Sequence, residues 1–336
     1  MNILITGASG YVGTHLVSRL LDNPKIKKIV NYDISYFGDK HLPLHSKYEY
    51  LKKDLRDHLS IKDAIVSNKI DTVLHLACIS NDPTFELNNK ISKEINFDCF
   101  EPLVKISKEN GVKKFIYAST CSVYGVSEEP EVREDHPLVP LTDYNKYKAD
   151  CEPILKNYLN NDFKGVIIRP STVCGYSEKM RFDLTVNILT NYAYNKGFIR
   201  VFGGKQTRPN CHIDDMCTLY EDLFFKDFLD INGEIYNFGK ENLSILNIAE
   251  KVANKMLLKF NKKIEIKVEP SNDPRSYRIN SDKIQNEYGF KFNKTVDDAI
   301  EDLLNAFENK KIIDSFSEEW QNIAVLKKLD SEKKYS

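Results

Sequence analysis

The sequence predicts an α/β fold in which a doubly wound parallel sheet carries helices on both faces. Apolar runs typical of buried strands alternate with helical patterns through the first half of the chain, and this alternation favours parallel strands joined by helical crossovers. A glycine-rich loop separates the first strand from the first amphipathic run, in the segment MNILITGASGYVG. Strand, glycine loop and helix in this order predict a Rossmann-type sheet.

The elements of this sheet follow from the positions of the apolar residues. Gly111 is expected to cap the third helix, because glycine is common just beyond a helix end. Pro102 and Pro153 fall inside the third and fourth helices, and each is expected to kink or break its helix. Strands are predicted at residues 2–6, 28–33, 48–54, 72–77, 113–119 and 165–169, with helices near 11–22, 57–68, 86–110 and 142–160.

Beyond residue 169 the pattern predicts a smaller C-terminal α/β lobe that is interleaved with the first. It consists of a helix near 183–196, the strand FIRVFG, a serine-capped helix at 244–258 and a strand at 264–268, and a C-terminal helix follows. We therefore predict a sheet domain over residues 1–170, to which part of 208–240 returns, a second lobe over 171–207 and 241–315, and a C-terminal helix and tail over 316–336.

Composition narrows the possible functions. The 336-residue chain carries 48 Lys and Arg against 49 Asp and Glu, and this balance argues against nucleic acid as a partner, since proteins that bind it carry a basic face. No apolar run could span a membrane and Met1 leads directly into a core strand, so a cytoplasmic protein is expected. The seven cysteines lack CxxC spacing and suit reduced thiols. The cluster CHIDDMC matches no zinc spacing, so no metal site is predicted.

The glycine loop and the acid that follows it predict a dinucleotide site. Gly7 permits a tight turn, Gly10 lets the main chain approach a diphosphate, and Gly13 lets the helix pack closely. The second strand ends on Asp33, whose carboxylate would bind the hydroxyls of an adenosine ribose. Because an acid repels a 2′-phosphate and no arginine follows closely, we expect NAD rather than NADP. A glycine-rich turn with an unrelated surface aspartate is the alternative.

A second group of residues predicts acid–base chemistry. Thr120 follows the fifth predicted strand, at the sheet edge where ligands of open α/β sheets bind. Tyr144 and Lys148 are spaced to share one face of a helix, so the ammonium would stabilise the phenolate and lower the pKa of the tyrosine. Tyr144 could then act as a general base, with Thr120 bonded to the same substrate oxygen. Taken alone, YNKYKAD is better explained as a solvated helix surface; the order of the features favours the catalytic interpretation.

With these features in place, the chain resembles the extended short-chain dehydrogenases/reductases, within the NAD-dependent nucleotide-sugar epimerase/dehydratase group. The resemblance covers about residues 1–305 and implies that the sheet domain binds NAD and the second lobe a nucleotide-diphosphate sugar. The helices near 86–110 and 142–160 resemble those that pair in family homodimers. The resemblance rests on TGASGYVG, Asp33, Asp54-Leu55, HLAC (75–78), Asn96, STCSVYG, Tyr144 to Lys148, RPSTVCG (169–175), RPNCHIDD (208–215) and GEIYNFG (233–239).

The resemblance assigns roles to the residues at matching positions. Arg275 departs from the family pattern, because it stands downstream of a slot for arginine that holds Pro270 here. Ordinary surface ion pairs are the alternative for Arg181 and Arg275. The catalytic residues would be Thr120, Tyr144 and Lys148. NAD would be bound by Gly7, Gly10, Tyr11, Val12, Asp33, Asp54, Leu55, Leu76, Ala77, Tyr144 and Lys148. The substrate would be bound by Ser80, Asn81, Thr120, Thr172, Arg181, Asn187, Arg208 and Arg275.

The resemblance also implies the reaction. Tyr144 would take the proton of a sugar hydroxyl, usually at C4, while hydride passes to NAD and leaves a 4-keto sugar. Related dehydratases carry acidic residues in the two positions after the catalytic threonine, where this chain has Cys121 and Ser122. A 4-epimerase is therefore favoured, followed by a C4 dehydrogenase that releases the 4-keto sugar and then by a 4,6-dehydratase. A dinucleotide-binding regulator is the non-enzyme alternative, and such proteins are expected to lose Tyr144 or Lys148.

Cys121 and three histidines are interpreted as structural residues. Some epimerases of the group use a cysteine for proton exchange, but that cysteine aligns with Ser122 of this chain. Free cysteines are among the most buried residues, so Cys121 is predicted to be a packed thiol. His75 is predicted to lie in the core, and His136 and His212 are predicted to be loop or structural residues.

Overall fold

A seven-stranded parallel sheet lies at the centre of the molecule. The computed structural model describes residues 1–80, 82–127, 129–271, 276–332 and 334. Asn81 and Arg275, which the sequence analysis assigns to the substrate site, lie outside the described residues.

The described residues form these strands: β1 (Asn2–Thr6), β2 (Lys28–Asp33), β3 (Tyr48–Lys52), β4 (Thr72–His75), β5 (Lys114–Ala118), β6 (Lys164–Pro170), β7 (Thr172–Cys174), β8 (Phe198–Phe202), β9 (Thr207–His212), β10 (Ile235–Phe238), β11 (Glu241–Ser244) and β12 (Glu265–Glu269). They form these α-helices: α1 (Tyr11–Leu20), α2 (His58–Ser67), α3 (Asp82–Phe85), α4 (Asn89–Lys93), α5 (Phe100–Glu109), α6 (Asp143–Tyr158), α7 (Thr185–Lys196), α8 (Ile213–Phe225), α9 (Ile245–Phe260), α10 (Val296–Glu308) and α11 (Asn322–Ser331).

The sheet has the strand order β10-β6-β5-β4-β1-β2-β3, and all its neighbouring strands are parallel. Ile3 of the central strand β1 pairs with Ile29 of β2 on one side and with Thr72 of β4 on the other. The chain therefore winds outward from β1 in one direction and then in the other. Such a reversal opens a crevice at the carboxyl ends of the strands. The predicted doubly wound sheet is confirmed.

Two glycines make the turn from β1 into α1 possible. Gly7 has φ +75°, and a Cβ on it would lie 2.6 Å from the main chain of Ala77. A Cβ on Gly13 would lie 2.4 Å from the Cα of Ala8. Larger residues would therefore push the loop away from the crevice, because contacts this short are not tolerated by main-chain atoms.

The two prolines differ in their effect: the predicted break is found near Pro102 but not at Pro153. The predicted third helix is divided into α3, α4 and α5, with a π turn at Glu94–Asp98 directly before α5. Pro102 then lies in the first turn of α5, where its missing N–H leaves no helical bond unmade. Pro153 does not break α6, which continues from Asp143 to Tyr158.

A second lobe packs beside the sheet. Its core lies between α7, α9 and α10 and the parallel pair of strands β8 and β12. A three-stranded sheet has the order β11-β9-β7, in which β9 is parallel to β7 and antiparallel to β11. Ser244 caps α9, because its side chain accepts a hydrogen bond from the N–H of Asn247. The predicted serine cap is therefore confirmed.

The predicted C-terminal helix exists as α11 and is docked on the sheet domain. Leu326 is fully buried in a cluster with Ile79, Ile91 and Ile95. In the ranges that the structure describes, no helix combines the length and the apolar character needed to cross a membrane.

Candidate active site

A cleft of about 390 Å³ opens at the carboxyl ends of the central strands, and this volume lies within the range of small-molecule sites. Loops after β1, β2, β4, β5 and β6 form one wall, and the second lobe forms the other. The cleft brings together these residues predicted from the sequence: Gly7, Gly10, Tyr11, Val12, Asp33, Asp54, Leu55, Leu76, Ala77, Ser80, Thr120, Tyr144, Lys148, Thr172, Arg181 and Arg208.

Asn187 does not reach the cleft. It is fully buried in the first turn of α7, where its Oδ1 accepts from the Gly175 N–H at 3.1 Å. Its Nδ2 donates to the carbonyl oxygen of Arg181 at 3.1 Å. The sequence pattern placed Asn187 at the right helix start but did not show that its side chain turns inward. Its observed contacts fix the loop that carries Arg181.

The first turn of α1, directly after the glycine loop, offers main-chain donors to the cleft. Gly10 precedes α1 and supplies no side-chain cap, so the first-turn N–H groups are free to bind an anion. The Tyr11 hydroxyl donates to the carbonyl oxygen of Gly175 at 2.6 Å. Because the side chain is engaged within the protein, the main chain of Tyr11 is the part that remains for contacts in the cleft. A Cβ on Gly10 would lie 3.3 Å from the Gly7 carbonyl oxygen and would crowd this cradle. The loop therefore fits a dinucleotide diphosphate.

Asp33 is fixed by two main-chain donors at the end of β2. Its Oδ2 accepts from the Ser9 N–H at 2.9 Å and its Oδ1 from the Ser35 N–H at 2.7 Å. Burial raises the pKa of this carboxyl group, while these N–H groups oppose the rise. Ser35 has φ +55°, a conformation that serine adopts only at a cost. Its hydroxyl is bonded to those of Ser9 and Tyr50, a role that no sequence motif predicts.

The carboxylate of Asp54 is engaged within the protein. Arg56 donates to it from Nη2 at 2.6 Å and from Nε at 3.1 Å. Leu55, directly after it, is nearly buried and lines the cleft. Contacts to a bound adenine at this position would therefore come from the main chain and from the Leu55 side chain.

Three polar side chains form a chain of hydrogen bonds where β5 ends. The Thr120 and Ser122 hydroxyl oxygens lie 2.9 Å apart, and the Ser122 hydroxyl donates to the side-chain oxygen Oδ1 of Asn145 on α6. Thr120 also caps the following 3₁₀ turn, because its Oγ1 accepts from the Ser122 N–H. All three residues line the cleft. A substrate hydroxyl that donates to Thr120 would thus extend a chain of hydrogen bonds that runs through Ser122 to Asn145.

Cys121 lies behind this wall and is fully buried. Its thiol donates to the carbonyl oxygen of Arg169 at 2.8 Å, and burial raises the pKa of the thiol. A protonated and enclosed thiol is a poor proton-exchange group. The prediction of a packed thiol is confirmed.

Tyr144 and Lys148 both line the cleft from α6, but the predicted effect of the lysine on the tyrosine is not found. Burial raises the pKa of Tyr144 well above its ordinary value, Cys78 and Asp82 raise it further, and Arg181 opposes the rise. The ammonium of Lys148 instead donates to the Ala118 carbonyl oxygen at 2.8 Å. Without bound ligands, the Tyr144 phenol therefore holds its proton strongly.

Arg181 crosses the cleft between the second lobe and the sheet domain. Its Nε and Nη2 donate to the carboxylate of Asp183 at 3.1 and 2.6 Å, and its Nη1 donates to Ser80 Oγ at 2.9 Å. Arg181 thus forms an ion pair, as the alternative interpretation expected, but its side chain is only 14% exposed and the pair lies inside the cleft and not on the open surface. Arg208, at the same cleft, donates from Nη1 to the Thr207 carbonyl oxygen.

The cleft also contains residues that the sequence analysis did not select. Asp82 lies at the start of α3 and accepts from the Thr142 hydroxyl at 2.6 Å. Lys179 is almost fully buried, and burial lowers the pKa of its ammonium to about 8. Asn322 reaches the cleft from α11. These residues are carried to one place by the folded chain, and no local pattern marks them.

Two of the three histidines, His75 and His212, have structural surroundings. His75 is buried in the sheet, its Nδ1 lies 2.8 Å from Thr6 Oγ1, and burial lowers the pKa of its imidazole to about 3. His212 caps α8 through Nδ1, and its Nε2 lies 3.1 Å from Asp302. His212, Asp214 and Asp302 bring ligand-type atoms within 4.8 Å of one another, but both ring nitrogens of His212 already have partners.

A family model covers most of the chain. The model of the NAD dependent epimerase/dehydratase family matches residues 3–239. The chain belongs to this family. Its relatives include the dTDP-D-glucose 4,6-dehydratase of Dictyostelium discoideum, 29% identical over 274 residues that make up 75% of this chain and 61% of that protein. The chain thus spans about three fifths of that relative's length.

Two further comparisons agree with the family. The dTDP-D-glucose 4,6-dehydratase of Homo sapiens is 28% identical over 299 residues, which are 84% of this chain and 83% of the human protein. The crystal structure of UDP-glucose 4-epimerase with UDP-glucose from Thermotoga maritima superposes with a TM-score of 0.81 at 20% identity, covering 92% of this chain and 99% of the other. That likeness shows the shared fold. As a family member the chain is an enzyme of the nucleotide-sugar epimerase/dehydratase class with NAD as its cofactor.

Proposed function

We propose that the chain is an NAD-dependent 4-epimerase of a nucleotide-activated sugar. The observation that carries this proposal is a cleft lined by Thr120, Tyr144 and Lys148, with no carboxylate in the two positions after Thr120. Proton transfer at one sugar oxygen needs a single acid–base group, whereas removal of water needs an acid and a base in addition. The site is therefore better suited to oxidation and re-reduction at C4 than to dehydration.

The substrate would lie between the second lobe and the sheet domain. Arg181 and Arg208 line this part of the cleft, and guanidinium groups bind diphosphates through paired hydrogen bonds. The hydroxyls of Ser80 and Thr172 are available at the same wall for the sugar. Arg181 is held in place by Asp183, so a bound diphosphate would meet a guanidinium that is already oriented.

The proton is moved by Tyr144. When bound, NAD supplies a hydride acceptor and a positive charge that favours the phenolate. The Tyr144 oxygen takes the proton of the C4 hydroxyl as the C4–H bond breaks, and the C4–O bond becomes a carbonyl. To donate a hydrogen bond to that oxygen, Thr120 has to turn its hydroxyl hydrogen away from Ser122, to which it donates in the protein without ligands. Once the keto sugar presents its other face, return of the hydride to C4 would invert that carbon, and Tyr144 would give the proton back to the C4 oxygen.

A 4,6-dehydratase is the second candidate, and Asp82 is the observation that favours it. Its carboxylate is at the cleft with Tyr144, so an acid is present there although none follows Thr120. In a dehydratase Asp82 would protonate the leaving hydroxyl of the sugar, and a second group would have to take the proton from C5. A 4-epimerase does not need either function, so replacement of Asp82 by Asn separates the two candidates.

We extend the proposal to the organisation of the chain. Residues 1–170 with part of 208–240 bind NAD, residues 171–207 and 241–315 bind the sugar nucleotide, and two copies pair through the helices near 86–110 and 142–160.

A cytoplasmic location is supported by the seven cysteines, which are all free thiols and suit a reducing compartment. Sedimentation equilibrium of the full chain tests the homodimer, and a monomer at micromolar concentration would contradict it.

The function is tested by incubating the purified chain with UDP-, GDP-, CDP- and dTDP-sugars and analysing the products by mass spectrometry and nicotinamide absorbance. An isomer of unchanged mass without accumulation of reduced cofactor supports the 4-epimerase. A product that has lost two hydrogens, with reduced cofactor accumulating, supports the C4 dehydrogenase instead. Loss of water supports the dehydratase, and Asp82→Asn should then abolish turnover. No product from any sugar contradicts the proposal.

A further inference from the structure

The C-terminal helix α11 lies against the cleft. Leu326, one turn into the helix, is fully buried among Ile79, Ile91 and Ile95, and Ile79 and Ile95 also line the cleft. Tyr36 and Phe37 pack on the same cluster; they follow Asp33 closely in the chain. The helix therefore rests on the loops after β2 and β4, which belong to the cofactor half of the site.

The segment before α11 is fastened at several points. The carbonyl oxygen of Trp320 accepts from the Phe182 N–H at 3.1 Å, and the Lys179 ammonium donates to the Glu319 carbonyl oxygen. The ring of His41 lies 5.4 Å from that of Trp320. These contacts connect the second lobe, the loop after β2 and the C-terminal segment, so the first residue of α11 has a defined position.

That first residue is Asn322, whose side-chain amide has no hydrogen-bond partner among the described residues. Asn322 is 4% exposed and lines the cleft, yet its side chain forms no hydrogen bond with any residue in the described part of the chain. Gln321, which precedes the helix, supplies no side-chain cap. Because Asn322 lines the cleft, its amide can bind a group that enters there, and uncapped first-turn N–H groups add a positive helix end beside it.

We propose that Asn322 and the first-turn N–H groups of α11 bind the diphosphate of NAD, opposite the N-terminus of α1. This rests on the cofactor placement proposed above. Amide and main-chain N–H groups at a helix start are suitable donors for phosphate oxygens. Lys179 brings a buried positive charge to the same wall, which also favours an anion. The C-terminal helix thus contributes a cofactor-binding residue from the far end of the chain.

The test measures binding by calorimetry on the full chain freed of nucleotide, with NAD, ADP-ribose and UDP as probes. Asn322→Ala should weaken NAD and ADP-ribose about tenfold or more, the usual loss for a hydrogen bond to a charged group. Asn322→Asp should weaken both further, because its carboxylate repels the diphosphate, although an acid in the first turn stabilises a helix. UDP affinity should not change, and Lys327→Ala, on the exposed face of the same helix, should behave as the parent.

Asp33→Ala distinguishes a failure of this inference from a failure of the cofactor placement. If Asp33→Ala weakens ADP-ribose while both Asn322 variants bind it normally, the α11 contact is wrong and the placement stands. If neither position affects ADP-ribose, the placement itself is wrong. If the Asn322 variants lose UDP affinity and keep that for ADP-ribose, the site belongs to the substrate nucleotide, which overturns the proposal. Thermal unfolding of the Asp variant verifies that it is folded.

Discussion

The ammonium of Lys148 donates a hydrogen bond to the carbonyl oxygen of Ala118, 2.8 Å away. This bond joins α6 to the end of β5, two residues before Thr120, and the ammonium also lies 5.1 Å from the centre of the Tyr117 ring. Lys148 is buried, so its charge is held close to the cleft. The lysine thereby fixes the helix that carries Tyr144 relative to the strand end that carries Thr120.

Replacing Lys148 by Met should therefore affect both folding and turnover. The change keeps the bulk of the side chain but leaves the Ala118 carbonyl oxygen without its partner, which costs about 1–3 kcal/mol. Urea unfolding should show this loss, and turnover of the nucleotide sugar should fall about a hundredfold, because Tyr144 would no longer be held in position relative to Thr120. Parent-like turnover by a folded Lys148→Met variant would show that Lys148 is not required at the site.

Tyr144→Phe should abolish sugar oxidation and leave NAD affinity nearly unchanged, because the phenol oxygen is the proposed base. Tyr147→Phe is the matched control. Tyr147 lies on the same helix and packs against Phe85 and Phe97, with ring centres 5.8 and 5.2 Å apart. Its variant should turn over substrate like the parent. Normal turnover by Tyr144→Phe, measured by product mass, would refute the mechanism.

The protein alone should keep Tyr144 protonated through neutral and mildly alkaline pH. Burial disfavours the phenolate and raises the pKa of Tyr144 well above 10, so the fraction deprotonated stays small below that value. Tyrosinate absorbance of the parent minus that of Tyr144→Phe should thus remain flat up to pH 10. With NAD bound, the rise in this absorbance difference should occur at lower pH, because a positive charge favours the phenolate. A step below pH 9 without cofactor would contradict the burial effect.

Asp33→Ala should weaken NAD and relax discrimination against NADP. The carboxylate is held by the N–H groups of Ser9 and Ser35 in a position where it accepts from ribose hydroxyls and repels a 2′-phosphate. Loss of a charged hydrogen bond corresponds to about 1.5–3 kcal/mol of binding free energy. Affinities for the two cofactors should be measured by calorimetry. An unchanged NAD to NADP preference would show that the ribose assignment is wrong.

Lys179 should make stability rise with pH in a defined window. Burial lowers the pKa of its ammonium from 10.5 to about 8, so between these values the unfolded chain binds a proton that the folded chain does not. Folding stability should therefore increase between pH 8 and pH 10.5, by up to about 3 kcal/mol. Lys179→Met should lack this contribution, whereas Lys327→Met, on an exposed helix face, should retain it. Equal pH slopes for the parent and Lys179→Met would disprove the shift.

Much of the fold was predictable because local periodicity marks buried strands and helix ends. The predicted bounds of β1 and β2 agree with the structure, and the predicted starts of the other strands of the sheet domain lie within a residue of the observed ones. The segment 86–110 was predicted as one helix because its residues suit a helix throughout. Its division into short helices and a π turn depends on how Ile91 and Ile95 pack against Ile79 and Leu326, which no local window contains.

The site was predictable where a motif determines the position of a side chain and not elsewhere. Asp33 and Thr120 lie at strand ends, and strand ends meet at one edge of a parallel sheet. Asn187 lies at the helix start where its motif predicts it. Its side chain turns inward because it is bonded to Gly175 and Arg181. The contact of Lys179 with Glu319 spans 140 residues of sequence. Such residues become neighbours only through the tertiary fold, and the same is true of Asn322.

The most direct test of the 4-epimerase uses a sugar nucleotide that the chain turns over, labelled with deuterium at C4. The mechanism predicts that both C4 epimers keep the label at C4, since the same hydride leaves and returns within one turnover. Product made from unlabelled substrate in heavy water should carry no deuterium on carbon. Appearance of the label at C6 together with loss of water, or its exchange with solvent, would contradict the account.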